Sequence, residues 1–201
     1  MFNLIRRDVI LQKRQLLLLI PAILFFIIMN VHPAFIFLFA SIYVPINTYV
    51  YDEKTETNFL LNSLPYTRKE IIASRYIGAI VYMLLGTGLT SVILLIFKKS
   101  FSFTDISISI SLFLLFVSLV FPLFYIFKQG YISSIVLFSF ILSAILGPRI
   151  VLFLAEHLPA ITEFLIGLSM PTVYIGVTLI VMAAYGTSWG FTTFIYQRKV
   201  L

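Results

Sequence analysis

The stretch YDEKTETNFLLNSLPYTRKEIIASRY, residues 51–76, decides how the rest of this chain is arranged. Eight of its residues are charged, whereas the whole 201-residue chain holds only 14 Lys and Arg and 8 Asp and Glu. Apolar runs long enough to cross a bilayer lie on both sides of it. Burying eight charges at the centre of a membrane would cost about 20 kcal/mol on insertion scales, so this stretch must lie in water.

The second half of the stretch carries the signals of a helix start. Thr67 and Glu70 have the spacing of a capping box, in which the N-cap residue and the third helical residue bond to each other's backbone N–H groups. Pro65 cannot lie inside a helix and marks the break before it. We therefore expect a helix to begin at about Arg68 and to continue into the next apolar run.

The first half predicts a shorter helix over residues 55–63, so that the whole stretch forms a helix, a proline corner and a second helix at the water surface. Large apolar side chains lie among its charges, namely Phe59, Leu60, Leu61, Leu64 and Tyr66. A solvated connector does not need these side chains, whereas a docking surface for a soluble partner does. A loop that packs on its own helical bundle is the alternative.

Composition indicates an integral membrane protein. The chain is 61% hydrophobic and 11% charged, whereas soluble domains average about 25% charged residues. The net charge of +6 could suggest nucleic acid, but the hydrophobicity argues against that. One domain over residues 1–201 is enough for the length. The chain has no cysteine, which excludes disulfides, thiolate metal sites and a cysteine nucleophile.

The apolar runs predict six membrane-spanning helices, at about residues 16–31, 34–50, 77–97, 106–127, 131–146 and 171–196. Residues 30–33 break the first two into a hairpin. No cleavable signal is expected, because no small-residue cleavage site follows the first run. Residues 1–15 mix basic and apolar side chains and predict an interfacial helix. In the third span, Gly78, Gly86 and Gly88 can allow close helix contact.

The region before the last span is apolar but interrupted. We expect the fifth helix to end at Gly147 and Pro148, and residues 148–169 to form two short re-entrant or interfacial helices split at Pro159. An even number of spans puts both termini on one side. With the N-terminus in the cytoplasm, 11 Lys and Arg lie inside and 3 outside, so the positive-inside rule places residues 51–76 in the cytoplasm and residues 148–169 outside the cell.

Motifs for chemistry on this chain are absent. The sequence contains no G-x-x-x-x-G-K-[ST] phosphate loop, no H-E-x-x-H pair and no G-x-S-x-G elbow. We expect no catalytic residue, no metal site and no cofactor on this chain. Every Asp and Glu lies in a predicted loop or helix end, which disfavours a transporter driven by protons or sodium and also an intramembrane hydrolase.

A bundle without energy-coupling groups, but with a docking element, needs a partner that supplies the energy. The chain resembles a small ABC transporter permease of the type 2 exporter group. The resemblance rests on residues 51–54 (YDEK), 60–65 (LLNSLP), 67–72 (TRKEII) and 74–76 (SRY). Six spans, an N-terminal interfacial helix and a broken re-entrant segment before the last span also match that group.

The resemblance implies a permease that is not an enzyme by itself and that exports a hydrophobic or amphipathic substrate, such as a peptide, toxin, drug or lipid. A separate cytoplasmic ATPase would bind ATP and Mg, and two permeases would form a homodimer or heterodimer in a bacterial cell membrane. Residues 51–76 would be the coupling region. The residues that would contact the ATPase are Asp52, Glu53, Phe59, Leu60, Leu64, Pro65, Tyr66, Thr67, Arg68, Lys69 and Glu70.

Relatives in this group move different cargoes, so the resemblance assigns no substrate-binding residue. The alternative function is a non-transporting membrane protein, such as an immunity or scaffold protein that binds a cytoplasmic partner through the same region. The neighbouring gene would distinguish the two, because an exporter predicts an adjacent gene for an ATPase with a Walker motif.

Overall fold

The computed structural model describes residues 15, 17–54, 67–127, 131–158, 163 and 167–198. Within these residues the chain consists of helices and the turns between them, so the all-α membrane class expected from the sequence is confirmed. In chain order the helices are α1 (Leu17–Ile28), α2 (Pro33–Lys54), α3 (Arg68–Ile96), α4 (Phe103–Ile126), α5 (Ile132–His157) and α6 (Met170–Arg198).

Five of these helices are long and apolar enough to cross a membrane. They provide the candidate spans Pro33–Asp52, Arg68–Ile96, Phe103–Ile126, Ile132–His157 and Pro171–Arg198. Of the first predicted span, the structure describes the apolar helix Leu17–Ile28. The described residues thus contain five candidate spans and one shorter apolar helix.

The predicted break between the first two helices is confirmed. Asn30 has a φ of 56°, a left-handed conformation that Asn tolerates better than most residues. The Val31 N–H donates to the Phe26 carbonyl at 3.1 Å and so closes the turn. Pro33 then opens α2, where its missing N–H has no intrahelical partner to lose.

The helix α4 begins earlier than its predicted span because of a second capping box. The Ser102 N–H donates to Asp105 Oδ2 at 2.8 Å, and the Asp105 N–H donates to Ser102 Oγ at 3.2 Å. These two bonds satisfy backbone groups at the start of the helix, so α4 begins at Phe103.

The helix α5 corrects the prediction for the region before the last span. It continues through Pro148 to His157 instead of ending at Gly147 and Pro148. Proline removes one backbone N–H, but helices in a membrane bundle tolerate this loss. Residues 149–157 therefore extend the fifth helix and do not form the first half of a re-entrant pair. Most of the expected second half, including Pro159, lies outside the described residues.

Two apolar clusters hold the bundle together. The smaller one joins α1, the start of α2 and the end of α3, through Leu19, Ile23, Ile36, Phe37, Ala40, Ile93 and Leu94. The larger one contains residues from each of the helices α2, α3, α4, α5 and α6, and its fully buried side chains include Tyr76, Phe113 and Phe121. In this arrangement α2 packs on α3 and α4, and α4 packs along α6.

Contacts at the two ends of the bundle show that successive helices alternate in direction. Lys99, after α3, donates to the Asn30 side chain at 2.8 Å and to the Val31 carbonyl at 3.1 Å. We call this the hairpin end. At the other end, which we call the polar end, the end of α2 and the start of α3 lie beside the end of α6.

Close contact between α2 and α3 depends on one of the three glycines named above. A Cβ atom added at Gly86 would lie 2.9 Å from the Ala40 carbonyl oxygen. A Cβ added at Gly78 or Gly88 would meet nothing within 4 Å. Only Gly86 therefore has the role in helix contact that the sequence suggested for all three.

Candidate functional site

The expected coupling residues divide into a described and an undescribed group. Five of them lie outside the described residues: Phe59, Leu60, Leu64, Pro65 and Tyr66. For Glu53 the backbone is described but the side chain is not. The side chains of the other five are described, and they flank the gap at residues 55–66: Asp52, Thr67, Arg68, Lys69 and Glu70. Both flanks lie at the polar end.

The capping box predicted at Thr67 and Glu70 is confirmed in both directions. The Glu70 N–H donates to Thr67 Oγ1 at 3.2 Å, and the Thr67 N–H donates to Glu70 Oε2 at 2.9 Å. The helix begins at Arg68, as expected. These bonds fix the first turn of α3 immediately after the undescribed segment.

Asp52 and Arg75 form a buried ion pair between α2 and α3. Arg75 Nη2 donates to Asp52 Oδ2, and each side chain is only 5% exposed. The Arg75 guanidinium also lies over the ring of Tyr49, 5.3 Å from its centroid. The Asp52 carboxylate thus faces the interior of the bundle in this structure, and not the outer surface where an ATPase would contact it.

Arg75 is a site residue that the sequence prediction did not include. An arginine in the second turn of a long apolar helix is itself a signal, because ionisable residues in such helices are costly and usually have a specific partner. The identity of that partner depends on the packing of α2 against α3, which the sequence alone does not give.

Arg68 binds the end of α6. Its Nη1 donates to the carbonyl oxygens of Tyr196 at 3.3 Å and Gln197 at 2.9 Å. The last carbonyl groups of a helix have no intrahelical donor, and a cation is favourable beside them. The Arg68 side chain is half-buried, while its neighbour Lys69 is exposed. Of these two basic residues, Lys69 is the one that presents its side chain to solvent.

A hydroxyl network joins Tyr76, in the third turn of α3, to α6. The Tyr76 hydroxyl bonds to Ser188 Oγ at 2.8 Å and to Thr192 Oγ1 at 2.7 Å, and the Tyr185 hydroxyl donates to the Tyr76 carbonyl at 2.7 Å. The Trp189 ring stacks on Tyr76 with 5.7 Å between centroids. No local spacing in the sequence indicates a hydroxyl network between helices so far apart in the chain.

A lateral groove with a volume of about 580 Å³ lies between α2, α4 and α5. Its walls are almost wholly apolar and include Leu38, Ile42, Leu115, Phe116, Phe140 and Gly147. The size and the apolar lining are those of sites that hold small apolar molecules. Within the described residues, no group of three or more His, Asp or Glu side chains could hold a metal ion.

The long apolar helices and the charged polar end define a multi-pass membrane protein. A family model described as "ABC-2 family transporter protein" matches residues 3–197, which is nearly the whole chain. The chain therefore belongs to the ABC-2 family and is a permease of the ABC transporter type, and the resemblance seen in the sequence is confirmed. Membrane permeases of this family generally pair with an ATPase subunit. No curated protein and no solved structure matches the chain.

Proposed function

We propose that this chain is the permease subunit of an ABC exporter, in which a separate cytoplasmic ATPase drives the export of a hydrophobic or amphipathic molecule. One observation carries the proposal. The two flanks of residues 55–66 are held at the same end of the bundle, Asp52 by Arg75 and Thr67 by Glu70. A segment supported in this way can transmit a push from a docked protein into α2 and α3.

The energy for transport comes from the partner subunit in this proposal. The ATPase holds ATP and Mg, and the chain described here is not an enzyme by itself. Closure of the ATPase on nucleotide moves residues 55–66 and, through them, α2 and α3, as in other rigid-body switches. Two such permeases, alike or different, pair over two ATPases in a bacterial cell membrane with both termini in the cytoplasm. The distribution of Lys and Arg supports that orientation.

The lateral groove supports the choice of cargo class. Its walls on α2, α4 and α5 are apolar, and Ser143 is the one polar residue among the described residues that line it. A strongly charged molecule would lose its hydration there without gaining a counter-charge. An apolar or amphipathic peptide, drug or lipid avoids that cost, so we assign the cargo to this class.

The test is co-purification of the whole chain with candidate ABC ATPases, followed by ATPase assays of the complex in lipid nanodiscs with a panel of amphipathic peptides and lipids. We expect the cognate ATPase to be retained and its activity to depend on the permease. A panel member that is cargo raises the activity further. Retention of no ATPase by the wild-type chain would contradict the proposal. Stable binding of another cytoplasmic protein, independent of nucleotide, would favour the immunity or scaffold function instead.

A matched pair of variants makes the assay specific for the docking region. Phe59→Glu places a charge in the predicted docking region, and Phe103→Glu makes the same change at the hairpin end, where Phe103 is 89% exposed. We expect Phe59→Glu to lose the ATPase and Phe103→Glu to retain it. Equal retention by both variants would exclude Phe59 from the contact.

A further inference from the structure

We infer that Asp52 and Arg75 are positioning residues for energy coupling: their ion pair holds the end of α2 to the start of α3, so that both helices move as one unit when the ATPase acts. This inference rests on the proposed function and deepens it. It gives Asp52, which the resemblance implied as a contact to the ATPase, a role inside the permease.

The geometry of the pair suits this role. Asp52 lies in the last turn of α2 and Arg75 in the second turn of α3, on the two sides of residues 55–66. Both side chains are nearly fully buried. Attraction between charges is stronger where water is excluded, and separating a buried pair leaves each charge without compensation. Sliding or separation of α2 and α3 at this end is therefore strongly resisted.

A second residue of α2 strengthens the link. Tyr49 precedes Asp52 by three positions, which puts the two side chains on the same face of α2. The Arg75 guanidinium contacts both, since it bonds to Asp52 and lies over the Tyr49 ring. A cation over an aromatic ring is attracted to it, more so when water is excluded. One side chain of α3 is thus held at two points on α2.

The same cluster reaches α4 and α6. The hydroxyl groups of Tyr49 and Tyr125 are 3.5 Å apart, and the Tyr125 ring meets the Tyr196 ring edge to face with 5.1 Å between centroids. Tyr125 belongs to α4 and Tyr196 to α6. These outer contacts are between neutral aromatic groups, which can exchange partners at smaller cost than a buried ion pair. The ion pair is therefore the firm link, and movement is expected at the aromatic contacts around it.

The competing explanation is that the pair only stabilises the fold. Replacing a buried ion pair by apolar side chains of similar size often preserves stability, whereas removing one partner does not. The double variant Asp52→Leu/Arg75→Met therefore separates the two explanations. It fills the same space but lacks the directional link between the helices.

The measurement uses pairs of nitroxide labels on introduced cysteines, which are unique because the chain contains no cysteine. One pair, at positions 51 and 73, spans α2 and α3. The other pair, at positions 73 and 131, spans α3 and the start of α5. Distances are recorded by electron paramagnetic resonance for the permease–ATPase complex without nucleotide and after trapping with ATP and vanadate. The ATPase activity that depends on the permease is measured on the same samples.

We expect the wild-type distance between α2 and α3 to be narrow and equal in both states, while the distance from α3 to α5 changes. Asp52→Asn and the double apolar variant should broaden the first distance and lower the permease-dependent ATPase activity by roughly tenfold, a typical size for coupling between sites. Asp52→Glu, which keeps the negative charge, should keep the narrow distance between α2 and α3 and most of the ATPase activity. Asp105→Asn, the same change in the capping box at the hairpin end, is the control. It should leave the distance between α2 and α3 and the ATPase activity unchanged.

Three results would overturn the inference. The first is a wild-type distance between α2 and α3 that changes on trapping. The second is a double apolar variant with wild-type distance and activity. The third is failure of Asp52→Asn and the double variant alike to accumulate in the membrane, which would assign the pair to folding. Failure of the proposed function can be told apart from failure of this inference. In that case the wild-type permease would retain no ATPase, while the label distances within the permease could still be measured.

Discussion

Arg68 and Gln197 lie 129 positions apart in the sequence, yet Arg68 Nη1 donates a 2.9 Å hydrogen bond to the Gln197 carbonyl oxygen. The contact joins the first turn of α3 to the last turn of α6. Together with the Asp52–Arg75 pair, this contact joins the ends of α2 and α6 to the start of α3 at the polar end.

Replacing Arg68 by Ala should loosen the end of α6. The change removes a cation from two terminal carbonyl groups, at a cost of about 1 kcal/mol for a half-buried charge-assisted bond. We expect faster amide hydrogen exchange over residues 194–198 and lower permease-dependent ATPase activity. Lys69→Ala, at the exposed neighbouring position, is the control for exchange. Equal exchange in the two variants would show that Arg68 does not hold α6.

Replacing Thr67 by Ala should fray the start of α3. Loss of an N-cap side chain costs about 1 kcal/mol, because backbone N–H groups in the first turn lose their acceptor. We expect amide exchange to rise over residues 68–71, next to the docking region. Thr67→Ser keeps the hydroxyl group and should behave as wild type. If Thr67→Ala and Thr67→Ser exchange alike, the hydroxyl group is not what holds the first turn.

Adding a methyl group at Gly86 should force α2 and α3 apart. The new Cβ would lie 2.9 Å from the Ala40 carbonyl oxygen, which is backbone and cannot rotate away. Overpacking of this kind costs about 1–3 kcal/mol, so the melting temperature in detergent should fall. Gly88→Ala is the matched control, since nothing lies within 4 Å of its added Cβ, and it should melt at or above the wild-type temperature. A Gly86→Ala protein as stable as Gly88→Ala would refute the close contact.

Replacing Tyr76 by Phe should destabilise the packing of α3 on α6. The change removes a buried hydroxyl group that bonds to Ser188 and Thr192, and it leaves those groups with fewer partners. Leaving buried polar groups unsatisfied costs about 1–3 kcal/mol. We expect a lower melting temperature than for Tyr131→Phe, which removes the same group from an exposed ring. Identical melting of the two variants would contradict the network.

Filling the lateral groove should block apolar cargo. Gly147 lines the groove, and a Cβ added there meets nothing within 4 Å, so Gly147→Leu can enter the groove without a backbone clash. We expect this variant to retain the ATPase but to lose stimulation by the amphipathic molecules that activate the wild-type complex. Gly88→Leu makes the same change on the exposed face of α3 and should keep that stimulation. Undiminished stimulation of Gly147→Leu would place the cargo elsewhere.

Local signals in the sequence predicted local structure well. The capping box of Thr67 and Glu70 depends on groups three positions apart, and the break over residues 30–33 depends on the local backbone, with Pro33 as the first residue of α2. Both features were predicted and confirmed. Pro148 was predicted wrongly as a helix end. A proline's effect depends on whether the surrounding bundle compensates for the missing hydrogen bond, which is a tertiary property.

The sequence by itself determined that this chain is a helical membrane protein with its charge concentrated between α2 and α3, because hydropathy and charge act residue by residue whatever the packing. It also pointed to the permease family through motifs in that region. Only the tertiary structure decided what those charges do. Asp52 pairs with Arg75 across 23 positions, and Arg68 binds the end of α6. Such partners are chosen by helix packing, and no spacing within the chain specifies them.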